Sequence, residues 1–230
     1  MATNYVDDFT RPVQLTKETS ALIVVDMQYA SGSRKHGLGK LLQSQGRLAE
    51  ADYRFDRIDD LLIPNIRKLL STFRSNGAQV IYLTVGCELP DYSDAPEHLK
   101  AFFKSTTNTR GNIEHEIVKE LAPRSGEAVL NKTTMGAFGS SGIDTLLKAK
   151  GLSELVLTGV STNNCVGMTA MEAADRGYGA VLVSDATGTC SDEMQDVTLQ
   201  SFRRLWGRVM TSDEVIGELT RDVQDIDQAV

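Results

Sequence analysis

The feature that most constrains this chain is a repeated switch between short apolar runs rich in β-branched residues and longer stretches of helical period. Residues 21–25 read ALIVV, 79–85 read QVIYLTV, 155–158 read LVLT and 180–183 read AVLV. A strand that is apolar at nearly every position is buried on both faces, as in parallel sheets covered by helices. Between the first two runs, Leu61, Leu62, Ile66, Leu69, Leu70 and Phe73 recur at helical spacing and stop at Asn76 and Gly77. Strand, helix and strand form a right-handed βαβ unit. Pro64 either sits in the first turn of that helix or kinks it.

The alternation continues to the C-terminus. Further strands are expected at 127–130 and 208–210, and helices at 113–121, 143–150, 192–206 and onward from Ser212. Another helix, opened by Cys165, should run to Arg176 and stop at Gly177. About six strands interleaved with helices make a doubly wound α/β fold, a parallel sheet with helices on both faces. A chain of 230 residues suits one such domain over residues 1–230. Two stretches, 28–56 and 86–111, show no convincing apolar run; connections that long are expected to be pocket walls, a lid or a subunit contact. Residues 220–230 are polar and expected to fray.

Charge and cysteine content narrow the function. With 31 acidic against 24 basic residues, the net charge of -7 argues against holding nucleic acid through phosphate contacts and favours a small-molecule partner. The first residues, MATNYVDDFTRPVQL, lack the apolar core of a signal peptide, and no window reaches the length of a membrane span. A cytoplasmic protein is the expectation. Cys87, Cys165 and Cys190 are odd in number and widely spaced, which fits neither a disulfide framework nor a zinc site.

Chemistry-bearing residues collect at one structural position. Asp26 follows the first strand, Lys132 the third, and Cys165 lies just past the fourth. The C-terminal edge of a parallel sheet is where ligands bind, so an acid, an amine and a thiol should converge there as proton acceptor, electrostatic partner and nucleophile. An unperturbed cysteine is only about 3% thiolate at neutral pH, and a pKa lowered to about 7 would make it half ionised. A helix N-terminus and Lys132 both carry the sign that lowering requires.

These residues also carry a resemblance. LIVVDMQ, LNKTTMGAF and TGVSTNNCVGMTAMEAADRGY resemble the three signature regions of the isochorismatase-like cysteine hydrolases, over roughly residues 18–212. The resemblance implies the isochorismatase-like hydrolase fold and a catalytic triad of Asp26, Lys132 and Cys165. It also implies a cis peptide between Val160 and Ser161, and an oxyanion hole from the backbone N–H groups of Ser161 and Cys165. No cofactor and no metal are implied, because the histidine-rich metal motif of related nicotinamidases is represented between Met27 and Val85 by His36 alone. Cys165 favours the amide-hydrolysing branch, acting with water on a small amide. Within that branch the spacing is most similar to biuret hydrolase and N-carbamoylsarcosine amidohydrolase, with biuret preferred; ureidoacrylate and maleamate types are alternatives. Relatives imply a homo-oligomer, commonly a tetramer.

Other readings stand beside this one. Gln28, Met135, Phe138 and Asn163 adjoin the motifs and are pocket candidates, although packing explains Met135 and Phe138 equally well. His36, His98 and His115 read as solvent-facing, and Cys87 and Cys190 as structural. A non-catalytic binding protein on the same fold is the rival function, and a redox-sensing thiol lacks a resolving cysteine nearby.

Overall fold

The computed structural model describes Phe9 and residues 13–221. Its framework is a sheet of six parallel strands: β1 (Ser20–Val25), β2 (Gln79–Val85), β3 (Ala128–Lys132), β4 (Glu154–Val160), β5 (Gly179–Gly188) and β6 (Arg208–Met210). Their order across the sheet is β3-β2-β1-β4-β5-β6. The chain winds outward from β1 to β3 and then returns to place β4 against the other side of β1. The reversal opens a crevice at the C-terminal ends of β1 and β4.

Strand periodicity divides the core in two. Leu22, Val24, Val80, Tyr82, Val156, Val181 and Val183 face helices α4 (Ile63–Ser75) and α9 (Ser212–Leu219). Ala21, Ile23, Val25, Ile81, Leu83, Leu155, Leu157 and Leu182 face α6 (Ile143–Ala149), α7 (Gly167–Asp175) and α8 (Asp192–Arg203). Both faces being covered is why the strands are apolar throughout rather than alternating.

Residues 28–56, expected to be irregular, are largely helical. They form α1 (Tyr29–Gly32), α2 (Gly37–Ser44), a 3-10 turn at Leu48–Ala51 and α3 (Asp52–Arg57). Glycines stand where apolar side chains would have signalled packing: a Cβ on Gly37 would lie 2.4 Å from Ala30 backbone and one on Gly39 2.3 Å from Arg34 backbone. A π turn at Ile58–Leu62 joins α3 to α4, so one helical rod runs through Pro64. The widened turn accommodates the proline ring and its missing N–H.

Two further expectations change. Residues 86–111 contain α5 (Glu97–Ser105), a short helix whose buried side chains are Leu99 and Phe103, too few to signal its period. The helix expected at 113–121 is instead two 3-10 turns, Ile113–His115 and Lys119–Leu121. Between them the backbone pairs with the segment after β1, through Tyr29 N–H to Glu116 O at 2.9 Å and Val118 N–H to Met27 O at 2.9 Å. Those long-range bonds outcompete helix continuation. The fraying expected of residues 220–230 concerns mainly positions outside the described residues. Among the described residues no helix is long and apolar enough to cross a membrane.

Gly159 shows how tightly β1 and β4 meet at the crevice. It pairs with Val25, has φ +103°, and a Cβ there would sit 2.0 Å from Val25 O. Both the left-handed conformation and the contact exclude a side chain. Gly159→Ala is expected to destabilise the protein by about 3 kcal/mol or more, read from urea unfolding midpoints.

Candidate active site

Asp26, at the end of β1, has φ +51°, which turns its carboxylate out of the strand line. Ser31 Oγ donates to Asp26 O at 2.7 Å, fixing the turn that follows. Lys132 ends β3, two strands away, and its long side chain crosses the end of β2 to reach Asp26. Lys132 Nζ donates to Asp26 Oδ2 at 2.9 Å and to Thr134 O at 3.2 Å, with the ion pair 0% and 2% exposed.

Cys165 completes the cluster from the loop after β4. The Val160–Ser161 peptide is cis. Ser161 O then accepts from Asn164 N–H at 3.0 Å and Val166 N–H at 3.2 Å, closing a π-type turn over Thr162–Val166 that leads into α7. Asn164 departs from helical geometry within that turn, at φ -118° and ψ -107°. The irregularity sets Cys165 beside Asp26 and Lys132, close enough that each of the three groups influences the ionisation of the others. The buried Asp26 Oδ1 has no hydrogen-bond partner.

The electrostatics differ from the expectation of a depressed thiol pKa. Burial pushes Cys165 up to about 12, the adjacent Asp26 carboxylate adds to the rise, and Lys132 only partly opposes it. Burial also raises Asp26, against the pull of Lys132. Lys132 is lowered by burial but carried above its ordinary value by Asp26 and Cys165. The partial charge of a helix end cannot offset desolvation beside a full carboxylate charge. The resting centre is an ammonium–carboxylate pair holding a neutral thiol.

A cavity of about 250 Å³ opens above the cluster, lined by Asp26, Arg54, Ser161, Asn164 and Cys165 on its polar side. Leu38, Leu99, Phe102 and Met135 contribute to its apolar wall, so both stretches 28–56 and 86–111 line it.

Of the four pocket candidates, Met135 alone reaches this cavity. Gln28 is fully buried as a clasp: its side chain accepts from Val85 N–H at 2.8 Å and donates to His115 O at 2.8 Å and Val85 O at 3.2 Å. Phe138 instead packs against Tyr178 and beneath Arg176. Asn163 Oδ1 accepts from Thr189 Oγ1 at 2.5 Å. Adjacency in sequence fails here because neighbours in a tight turn point to opposite sides.

The sequence reading did not single out Arg54 or Glu172. Arg54 lies one helical turn before the buried Ile58, a spacing that could have marked it as inward-facing. Glu172 of α7 accepts from Phe138 N–H at 3.0 Å and lies where a Cβ on Gly136 would stand, tying the turn after Lys132 to the helix after Cys165.

A domain model for isochorismatase matches residues 20–214. The chain belongs to the isochorismatase family. It is 30% identical over 219 residues to the ureidoacrylate amidohydrolase RutB of Rhizobium rhizogenes, covering 88% of this chain and 84% of that protein. The RutB protein of Agrobacterium fabrum is 29% identical over 226 residues, covering 91% and 94%. Among solved structures, the N-carbamoylsarcosine amidase of Thermoplasma acidophilum is 27% identical with a TM-score of 0.62, covering 85% of this chain and 97% of that one. A cysteine hydrolase from Pseudomonas syringae pv. phaseolicola shares the fold, with a TM-score of 0.76 at 23% identity over 95% and 98% of the chains.

His115, expected to face solvent, is buried in the family domain at the end of β2. Both amide hydrogens of Gln28 are used by carbonyls, so His115 Nδ1 carries the proton that it donates to Asn108 Oδ1 at 3.1 Å. Burial, aided by Arg110, lowers its pKa to about 4. An unfolded histidine titrates near 6.5, so the unfolded state binds more protons between these values and stability falls as pH drops through that window. A loss of about 2 kcal/mol between pH 6.5 and 4 is expected from this group, and its absence from the slope for His115→Gln in urea titrations checks the assignment. The raised thiol makes a second expectation. Mass-spectrometric labelling of Cys165 by iodoacetamide should be slow at pH 7 and still be climbing above pH 9, where an unperturbed cysteine has levelled off.

Proposed function

We propose that this isochorismatase-family protein is a cysteine-dependent amidohydrolase that cleaves the terminal C–N amide bond of a small ureide or carbamoyl amide. The observation that carries the reading is Cys165 lining a cavity together with Asp26, whose carboxylate is held in a buried pair with Lys132. Substrate entry displaces water and brings a carbonyl over the sulfur. Asp26 Oδ1 takes the thiol proton as the sulfur attacks, so charge moves within the cluster without leaving it. Lys132 stabilises whichever of the two groups is anionic. Backbone N–H groups of Ser161 and Cys165 receive the developing oxyanion. Asp26 passes its proton to the leaving nitrogen, ammonia departs, and a thioester-type carbamoyl enzyme remains. Water then gives a proton to Asp26 and its oxygen to the carbonyl, and the proton returns to sulfur as the acid product leaves.

Within this class, the relatives named ureidoacrylate amidohydrolase support a ureidoacrylate-type substrate over biuret, the compound preferred from the sequence motifs. The likeness to N-carbamoylsarcosine amidase supports the same carbamoyl chemistry. We assign the whole of residues 1–230 to this one catalytic domain.

The test is ammonia release from ureidoacrylate, biuret, N-carbamoylsarcosine, maleamate and nicotinamide. Turnover should be confined to carbamoyl compounds, and Cys165→Ser should lower kcat/KM by more than about 1,000-fold with its thermal midpoint retained. Full activity in that variant, or turnover of nicotinamide alone, would overturn the proposal.

A further inference from the structure

The cavity holds a cation that the hydrolytic steps do not use. Arg54 lines it, extending from α3 toward the loop that carries Cys165. Its Nε and Nη2 donate to Ser31 O at 3.2 and 3.0 Å, and its Nη1 donates to Ser161 Oγ at 2.9 Å. A guanidinium has five N–H groups. These three contacts leave one hydrogen on each terminal nitrogen available to a carboxylate.

Arg54 also lacks a carboxylate partner within ion-pair distance among the described residues. Arg34, Arg47, Arg74, Arg110 and Arg208 each have at least one. Asp26, the sole carboxylate among the described lining residues, is already paired with Lys132. With the thiol neutral, Arg54, Lys132 and Asp26 sum to one positive charge in excess. Around them stand Leu38, Leu99, Phe102 and Met135, an apolar wall that lowers the local polarity and strengthens charge pairing inside.

Resting on the reading of the site as a carbamoyl amidohydrolase, we infer that Arg54 is its specificity-determining residue, binding a carboxylate carried by the substrate elsewhere than at the scissile carbamoyl group. A ureido acid supplies that anion. Biuret is uncharged, and would leave the guanidinium donors unpaired in an apolar enclosure, the situation that discriminates most strongly between otherwise similar ligands.

Equilibrium binding separates this inference from the catalytic one. In the Cys165→Ser protein, calorimetry would compare 3-ureidopropionate with its uncharged methyl ester. The acid should bind about 100-fold more tightly, and adding Arg54→Gln should remove most of that preference. Arg54→Lys, which keeps the charge but not the guanidinium donors, should retain a smaller preference. Equal binding of acid and ester, no binding of either, or a preference that survives Arg54→Gln would overturn the inference, leaving Arg54 as a clamp between Ser31 and Ser161. Ammonia release by the unmodified protein is read separately, so failure of the hydrolase reading and failure of the Arg54 assignment give different results. If Arg54→Gln impairs folding, the acid-to-ester ratio in the Cys165→Ser protein alone still decides.

Discussion

Everything at the site depends on one buried ion pair, Lys132 with Asp26, at 2.9 Å and almost without solvent contact. Taking two such charges out of water is expensive, and their attraction roughly offsets the cost only when the geometry is tight. Removing either partner would leave the other buried alone, at a cost of about 3 to 5 kcal/mol. The pair is therefore poor evidence of stabilisation and better evidence of use. It holds a carboxylate ionised beside a thiol in a place where burial opposes both the carboxylate and the thiolate.

The sheet order makes that pair possible. β2 lies between the strands that end in Asp26 and Lys132, and neighbouring strands are about 4.8 Å apart, so a lysine is the side chain long enough to span the gap. On the other side of Asp26, β4 approaches β1 so closely that Gly159 is required, and the turn beyond it brings Cys165 back over the strand end. The π-type turn at Thr162–Val166 and the π turn at Ile58–Leu62 each re-aim a segment without breaking it. One sets the sulfur; the other lets α3 and α4 run as one rod, from which Arg54 reaches the cavity.

How much of this was legible in the sequence follows from where each signal lives. Strands β1, β2, β4 and β5 were readable because both-face burial writes itself as an uninterrupted apolar run, and a strand end fixes where Asp26 and Lys132 must lie. The Cys165 loop was readable by motif resemblance. Helices α1, α2 and α5 were not, since they pack through glycines or two side chains each and show no stripe. The extended piece at 116–118 and the burial of His115 depend on long-range backbone bonds that no local window contains. The thiol's ionisation was misjudged for a related reason. Helix ends are visible in sequence, whereas the desolvation that outweighs them is a property of the packed cavity.

That division has a chemical consequence. The groups proposed to break the bond sit on strand ends or immediately past them, where the sheet's register dictates their separation. Other groups that line the cavity, Arg54, Leu38, Leu99 and Phe102, sit on short helices whose positions the sheet does not dictate. Changing those helices would alter the charge and shape of the cavity without moving Lys132 from Asp26. A neutral resting thiol fits the same arrangement, because a nucleophile formed only as the carbonyl arrives spends little time as a thiolate exposed to other electrophiles. Selectivity can then reside in whatever brings the carbonyl to the sulfur. In this cavity the group with both charge and unused donors to do so is Arg54.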